Sequence, residues 1–270
     1  MTRSWHSFAR CLALATGLGL STLPAQALTG GTPTSSFVVV GELGGTSGVL
    51  IADNWVLTAA HVAKALSAGS TFTSLQGSSV ISAVELFSNQ TFPANDIALV
   101  QLATAITGEH ALLNDTVVLN SHIASLGPLT AASAQNQQPN GYAATTAVAA
   151  TVQDDVDAGA NTVNWLITEG GTVQGGDSGS ALFLGQITDS SGATLLGIAS
   201  ALISFDDGRP SQSGYVQVAA YKTWIDDTLG ASGQQATWVS AVPEPSLPSL
   251  LITGGLIAVI AARRGQRATR

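Results

Sequence analysis

From Phe37 to Val218 the chain is a succession of short apolar or alternating runs separated by Gly, Ser, Asn and Asp. Phe37-Val38-Val39-Val40, Gly48-Val49-Leu50-Ile51, Trp55-Val56-Leu57, Ile97 to Leu102, Val163 to Ile167 and Leu195 to Ile198 are of this kind. Many short strands with frequent turn residues predict an all-β barrel or sandwich. Helical spacing is clear only late, from about Ala219 to Leu229, where Tyr221, Trp224, Ile225 and Leu229 fall on one face. Gly230 follows as a natural stop. A short helical turn over Val62 to Leu66 is also expected.

The two ends have a different pattern. Arg3 and Arg10 flank a basic start, Cys11 to Leu20 are mostly apolar, and Ala25-Gln26-Ala27 has the small-x-small form of a cleavage site. Residues 1–27 therefore read as a secretory signal peptide, and the protein is expected outside the cytoplasm. A buried N-terminal helix is the competing reading, weakened by Ser21, Thr22 and Pro24. Cys11 is the single cysteine of 270 residues, so an exported form would carry no disulfide, no thiol nucleophile and no cysteine zinc site.

After the helix, residues 230–241 are small and polar apart from Trp238 and Val239, and read as a linker. Residues 242–270 then give Val242-Pro243-Glu244-Pro245, an apolar stretch from about Leu250 to Ala262, and Arg263-Arg264. Counted from Leu247, 16 residues precede the arginines. As a helix they would span roughly 24 Å, short of a hydrocarbon core of ~30 Å. The arginines would keep that end in the cytoplasm. This tail resembles the PEP-CTERM sorting signals of Gram-negative bacteria. The resemblance implies processing by an exosortase and only transient contact with the membrane, with destinations in the periplasm, at the cell surface or outside the cell. A plain C-terminal membrane anchor is the alternative.

Composition sets the remaining bounds. With 45% hydrophobic and 10% charged residues the chain is too apolar for disorder and sufficient for one domain, here residues 28–229. Between Leu28 and Pro245 only Lys64, Arg209 and Lys222 stand against 17 acidic residues, a net charge of -14. Such a surface repels nucleic acid and anionic lipid, and no nucleic-acid partner is expected.

Candidate chemistry lies in three segments. Thr58-Ala59-Ala60-His61, then Asn95-Asp96 followed by Ile97-Ala98-Leu99-Val100, then Gly175-Gly176-Asp177-Ser178-Gly179 supply an imidazole, a carboxylate and a hydroxyl. A serine is a useful nucleophile only when an imidazole takes its proton and a carboxylate fixes that imidazole's tautomer. Asp96 as an ordinary turn residue is the bland alternative. The apolar run directly after it argues for burial, where a carboxylate needs partners. Asp154, Asp155 and Asp157 suggest a calcium loop only faintly, because Leu166 stands where an acidic ligand is needed.

With the order His, Asp, Ser, residues 28–229 resemble the trypsin/chymotrypsin family of serine proteases. The resemblance implies two six-stranded Greek-key β-barrels packed against each other, with a C-terminal helix. It also implies a serine endopeptidase acting through an acyl-enzyme on polypeptide substrates, without metal or cofactor. His61 would be general base then acid, Asp96 its orienting carboxylate and Ser178 the nucleophile. The oxyanion hole would be formed by the N–H groups of Gly176 and Ser178. Asp177 would pair with a new N-terminal ammonium at Leu28, created by signal peptidase. Ser200 would sit near Asp96, with Ala201 and Leu202 running along the substrate backbone and Thr172 at the base of the primary pocket. A neutral Thr172 and a narrowing Leu202 point to cleavage after small or medium apolar residues, Glu169 being the nearest route to a basic preference. Ser180 and Ala181 depart from the family, which usually has Gly and Pro there. A catalytically inactive, protease-like binding module at the cell surface is the alternative function, and an esterase a third.

Overall fold

The computed structural model describes residues 28–88, 92–134, 142–153 and 164–240. The expected signal peptide, the PEP-CTERM-like tail and the Asp154–Asp157 cluster lie outside the described residues. No helix among the described residues is long and apolar enough to cross a membrane.

Strand β1 (Thr32–Pro33) precedes a first barrel of β2 (Val40–Leu43), β3 (Thr46–Ala52), β4 (Trp55–Thr58), β5 (Thr71–Ser74), β6 (Gly77–Leu86) and β7 (Ala98–Leu102). These close in the order β2-β3-β4-β7-β6-β5. Helix α1 (Ala60–Ala65) follows β4 directly. After β8 (Leu112–Asn114) and the short α2 (Ile123–Leu126) comes the second barrel. It comprises β9 (Pro128–Ala134), β10 (Tyr142–Gln153), β11 (Trp165–Glu169), β12 (Ala181–Leu184), β13 (Thr194–Ile203) and β14 (Gln212–Gln217). Its ring runs β12-β9-β10-β11-β14-β13 and closes through β12 with β13. Both rings are antiparallel throughout, so the protein is built as two six-stranded barrels.

One buried cluster joins the barrels, from Phe37, Leu50 and Leu57 to Ala132, Phe183 and Ile198. Strand β3 is buried on both of its faces, since one side lines its barrel and the other meets the second. Removing that much apolar surface from water is the main stabilising term, about 25 cal/mol per Å². A second cluster fills the other barrel and includes the wholly buried side chains of Leu28, Leu129, Leu166, Leu182 and Tyr215.

Sequence and structure differ in three places. The Phe37–Val40 run begins its strand only at Val40; the preceding residues form a buried turn, with Val40 N–H donating to Phe37 O at 3.0 Å. The late helix is a 3-10 turn over Val218–Tyr221 followed by α3 (Lys222–Ala231), so Gly230 lies inside the last turn rather than beyond it. Most importantly, the stretch 230–241, expected as a linker, is docked over its described part. Strand β15 (Trp238–Val239) pairs in parallel with β8, which itself pairs in parallel with β13.

Three contacts hold this strap. Trp238 Nε1–H donates to Asp226 Oδ1 at 2.6 Å, and the Lys222 ammonium lies 4.2 Å from the centre of the Trp238 ring. Asn54 and Gln234 exchange hydrogen bonds of 3.2 and 2.8 Å, which ties the strap to the β3–β4 turn of the first barrel. Replacing Trp238 by Ala removes a charge-assisted hydrogen bond and a cation–π contact at a half-buried site. It should cost about 1–2 kcal/mol of stability. A thermal melt of the variant against wild type reads this as a clearly lower Tm.

Candidate active site

Strand pairing brings His61 and Asp96 together. In the first barrel Thr58, the last residue of β4, pairs with Ala98, the first of β7. Because the two strands are antiparallel, the chain leaving β4 lies beside the chain entering β7. Helix α1 turns the chain at once, and His61 N–H donates to Asp96 Oδ1 at 2.8 Å. The ring donates too, from Nδ1 to Asp96 Oδ2 at 2.7 Å, which leaves Nε2 as the acceptor. Ser200 Oγ, from β13 of the other barrel, donates to the same Oδ2 at 2.6 Å. Asp96 is 2% exposed, and these donors satisfy a carboxylate that burial alone would disfavour. The imidazole is 37% exposed, so one face of it remains open to a reactant.

Ser178 occupies a loop of two adjoining β-turns. Asp177 N–H donates to Gln174 O at 3.0 Å and Ser180 N–H to Asp177 O at 2.9 Å. The third residue of each turn is a glycine with positive φ, +100° at Gly176 and +80° at Gly179, as a type II turn requires. A Cβ at Gly179 would also collide with the Ser47 carbonyl and the Thr58 hydroxyl. This close approach lays the serine loop against β3 and β4, three residues before His61. Ser47 N–H donates to Ser178 O at 2.9 Å, and Gly179 N–H to Ala199 O at 2.8 Å. Ser178 Oγ makes no hydrogen bond to His61 Nε2 in this structure. Such contacts commonly tighten only when substrate is bound.

The turn pattern also sorts the loop's amides. Those of Asp177 and Gly179 are spent on Gln174 O and on Ala199 O of β13, whereas those of Gly176 and Ser178 meet no acceptor among the described residues. Two unspent N–H groups flanking Asp177 beside the serine are a ready cradle for an anionic oxygen. Ser180 and Ala181 do not disturb this, because the second turn closes at Ser180 and β12 begins at Ala181.

Leu28 and Asp177 also meet. Leu28 is wholly buried, with φ +52°, and its backbone nitrogen donates to Asp177 Oδ2 at 3.0 Å. Thr29 N–H donates to Thr172 O at 2.8 Å, so the same N-terminal turn braces the segment before the serine loop. Thr172 Oγ1 donates to Ser211 O at 3.4 Å, and Val173 N–H to Ser213 Oγ at 3.0 Å. Ala201 and Leu202 lie in β13, where pairing with β12 ends at Ile198 but pairing with β14 runs on to Ile203. One edge of β13 is thus open beside the serine loop, and Leu202 is exposed. Glu169 is exposed and accepts from Gln212 Nε2 at 2.8 Å. Among the described residues no group of three or more His, Cys, Asp or Glu could hold a metal ion.

Some residues of the site had no signature in the sequence. The Phe92 ring stands edge-on to His61, 6.0 Å between centroids, and is half exposed. Only its place four residues before Asp96 hinted at it. Tyr221 O–H donates to Asn95 Oδ1 at 3.1 Å, so the C-terminal helical segment braces the loop that carries Asp96. Asn95 is held there at φ +51°, a conformation Asn tolerates better than most residues. Phe87 stacks edge-on against Tyr221 and Trp224.

Burial pushes the Tyr221 phenol up to about 12, with the Asp96 charge adding to the effect. Burial, then the Asp177 charge, push Tyr215 up still further. In the unfolded chain these phenols ionise near pH 10. Their contribution to stability is therefore whole below pH 10 and falls as pH rises from there towards 12. Stability measured by urea unfolding should decline over that window.

Comparison with known proteins agrees with this architecture. The family described as Trypsin matches residues 27–225. No curated protein matches the sequence closely enough to compare. Among solved structures, the secreted serine protease VesC from Vibrio cholerae is similar with a TM-score of 0.56 and 17% identity, over 74% of this chain and 48% of VesC. This chain thus spans about half the length of VesC. The inactivated protease paralogue S-I1 of the scabies mite is similar with a TM-score of 0.52 and 17% identity, over 72% of this chain and 95% of its own. At such identity the likeness is one of fold.

Proposed function

Since this chain belongs to the trypsin family, we propose that it is an exported serine endopeptidase whose triad is His61, Asp96 and Ser178. One observation carries the reading: the buried Asp96 carboxylate takes the His61 ring N–H at 2.7 Å and thereby frees Nε2 as a base.

The proposed reaction uses only this chain's residues. His61 Nε2 takes the Ser178 proton as Oγ attacks the peptide carbonyl carbon, and Asp96 stabilises the imidazolium. The carbonyl oxygen becomes an oxyanion held by the N–H groups of Gly176 and Ser178. The imidazolium gives its proton to the departing amine, which leaves an acyl-enzyme. Water, deprotonated by His61, then releases the acid and restores Ser178. The Leu28 nitrogen, 3.0 Å from Asp177, would become an ammonium if signal peptidase cuts after Ala27, and would pair with that buried carboxylate.

The open edge of β13 at Ala201 and Leu202 suits an extended peptide adding as a strand. Thr172 and Leu202 would give a neutral primary pocket with an apolar rim, suited to a small or medium apolar side chain. A peptide library digested by the protein should show such residues before the cut, and a dominant preference for Arg or Lys would contradict this assignment. An exported location, a transient C-terminal membrane segment and exosortase processing belong to the same proposal, as do the limits 28–229 for the protease unit and 242–270 for the tail. Likeness to the scabies mite protein keeps an inactive binding module as the second reading. That reading predicts a protein that no serine-directed probe acylates.

A further inference from the structure

We infer that Ser133, with Ser47 behind it, is a positioning residue for the oxyanion cradle: it fixes the Asp177 carboxylate through Oδ1, opposite the support from residue 28 on Oδ2. The inference rests on Ser178 being the nucleophile. Asp177 stands between the two amides of the cradle, so its orientation sets where they point. Gln174 N–H and the Leu28 nitrogen both donate to Oδ2, at 2.7 and 3.0 Å. Ser133 Oγ donates to Oδ1 at 2.6 Å. A carboxylate gripped on one oxygen alone can still swing about its Cβ–Cγ bond, whereas donors on both oxygens fix its plane.

The direction of the chain of hydroxyls follows from proton counting. Ser133 has one hydroxyl proton, and it is spent on Asp177. In the 3.1 Å contact between Ser47 Oγ and Ser133 Oγ the donor is therefore Ser47, whose one proton is shared with Ala134 O at 3.2 Å. Ser47 Oγ in turn accepts the Ala134 N–H at 3.0 Å. Ser47, Ser133 and Asp177 are all buried, at 0%, 1% and 0% exposure, and in that setting each link polarises the next. Ser47 also donates its own N–H to Ser178 O. One residue of the first barrel thus grips the nucleophile loop twice, by its main chain at Ser178 and through Ser133 at Asp177. Hydroxyl donors carry no charge, so this support does not depend on the protonation of any amine.

The test compares exported wild type, Ser133→Ala and Ser47→Ala in peptide hydrolysis and in the rate of fluorophosphonate labelling. Ser133→Ala should lower kcat and the labelling rate about 10- to 100-fold, part of the 10²–10³ that a lost cradle donor costs. KM should stay the same, as should the pH midpoint of the acid limb, because His61 and Asp96 are untouched. Ser47→Ala leaves the Ser133–Asp177 bond in place and should lose about 2- to 5-fold, as cooperative polarisation predicts. It also carries the test if Ser133→Ala does not fold. Wild-type rates in either variant, or a loss matched by raised KM or by a smaller folded fraction, would overturn the inference. A wild-type protein that no probe acylates overturns the catalytic reading and this inference with it.

Discussion

Ser178→Ala should remove peptide hydrolysis almost completely, lowering kcat on the order of 10⁶-fold while leaving the fold intact. The side chain is a half-buried hydroxyl at the second position of a turn that a main-chain hydrogen bond closes. Alanine tolerates that position, so the melting temperature should barely move. What is lost is the atom proposed to form the acyl bond. Residual catalysis of about 10³–10⁴ over water should remain, because the proposed oxyanion cradle, made by the amides of Gly176 and residue 178, needs no side chain at 178. The double variant His61→Ala with Ser178→Ala should be no worse than the single one. A base without a nucleophile has nothing to do, so the two losses do not add. Additive losses would mean that the two residues act in separate steps or separate sites.

Asp96→Asn should cost about 10⁴ in kcat, the size of loss this arrangement shows elsewhere. The physical reason lies in who donates. Asp96 accepts from His61 Nδ1 and from Ser200 Oγ, both on Oδ2, and from His61 N–H on Oδ1. An amide in that place presents its NH₂ to one of these donors. If NH₂ faces the ring, Nδ1 must become the acceptor and the proton moves to Nε2, which can then no longer act as the proposed base for Ser178. If NH₂ faces the His61 main chain instead, two buried N–H groups oppose each other and one loses its acceptor. The geometry can survive either choice, so a crystal structure of the variant should look unchanged while kcat collapses. A loss below tenfold would show that Asp96 does not set the ring's tautomer.

The fold was legible where a strand's apolar run is buried along its whole length and obscure where the strand is exposed. Runs such as Trp55-Val56-Leu57 and Leu195 to Ile198 announce strands because strand interiors of a barrel demand apolar residues. Strand β6 is largely exposed and rich in Ser, so nothing in Gly77 to Leu86 distinguished it from a loop. The strap after α3 was missed because a two-residue parallel pairing leaves no periodicity. Trp238 was its one signal, an aromatic ring in a stretch otherwise small and polar. For the site, residues whose chemistry is uncommon stood out, namely His61, Asp96 and the Gly-rich turn around Ser178. Residues whose role comes from approach in space did not. Ser133 sits in Thr130-Ala131-Ala132-Ser133-Ala134 and looks like any strand serine, and Tyr221 looks like part of a helix face. Only pairing of β9 with β10 and β12, and the packing of α3's entry turn on Asn95, give them partners.

In the proposed mechanism a hydroxyl, an imidazole and a carboxylate act as one unit across two barrels. Treating the exported protein with a fluorophosphonate and mapping the adduct by peptide mass spectrometry tests this most directly. A single adduct on Ser178, lost in His61→Ala and slowed in Asp96→Asn, is the predicted result. An unlabelled protein, or an adduct on any other serine, would contradict it.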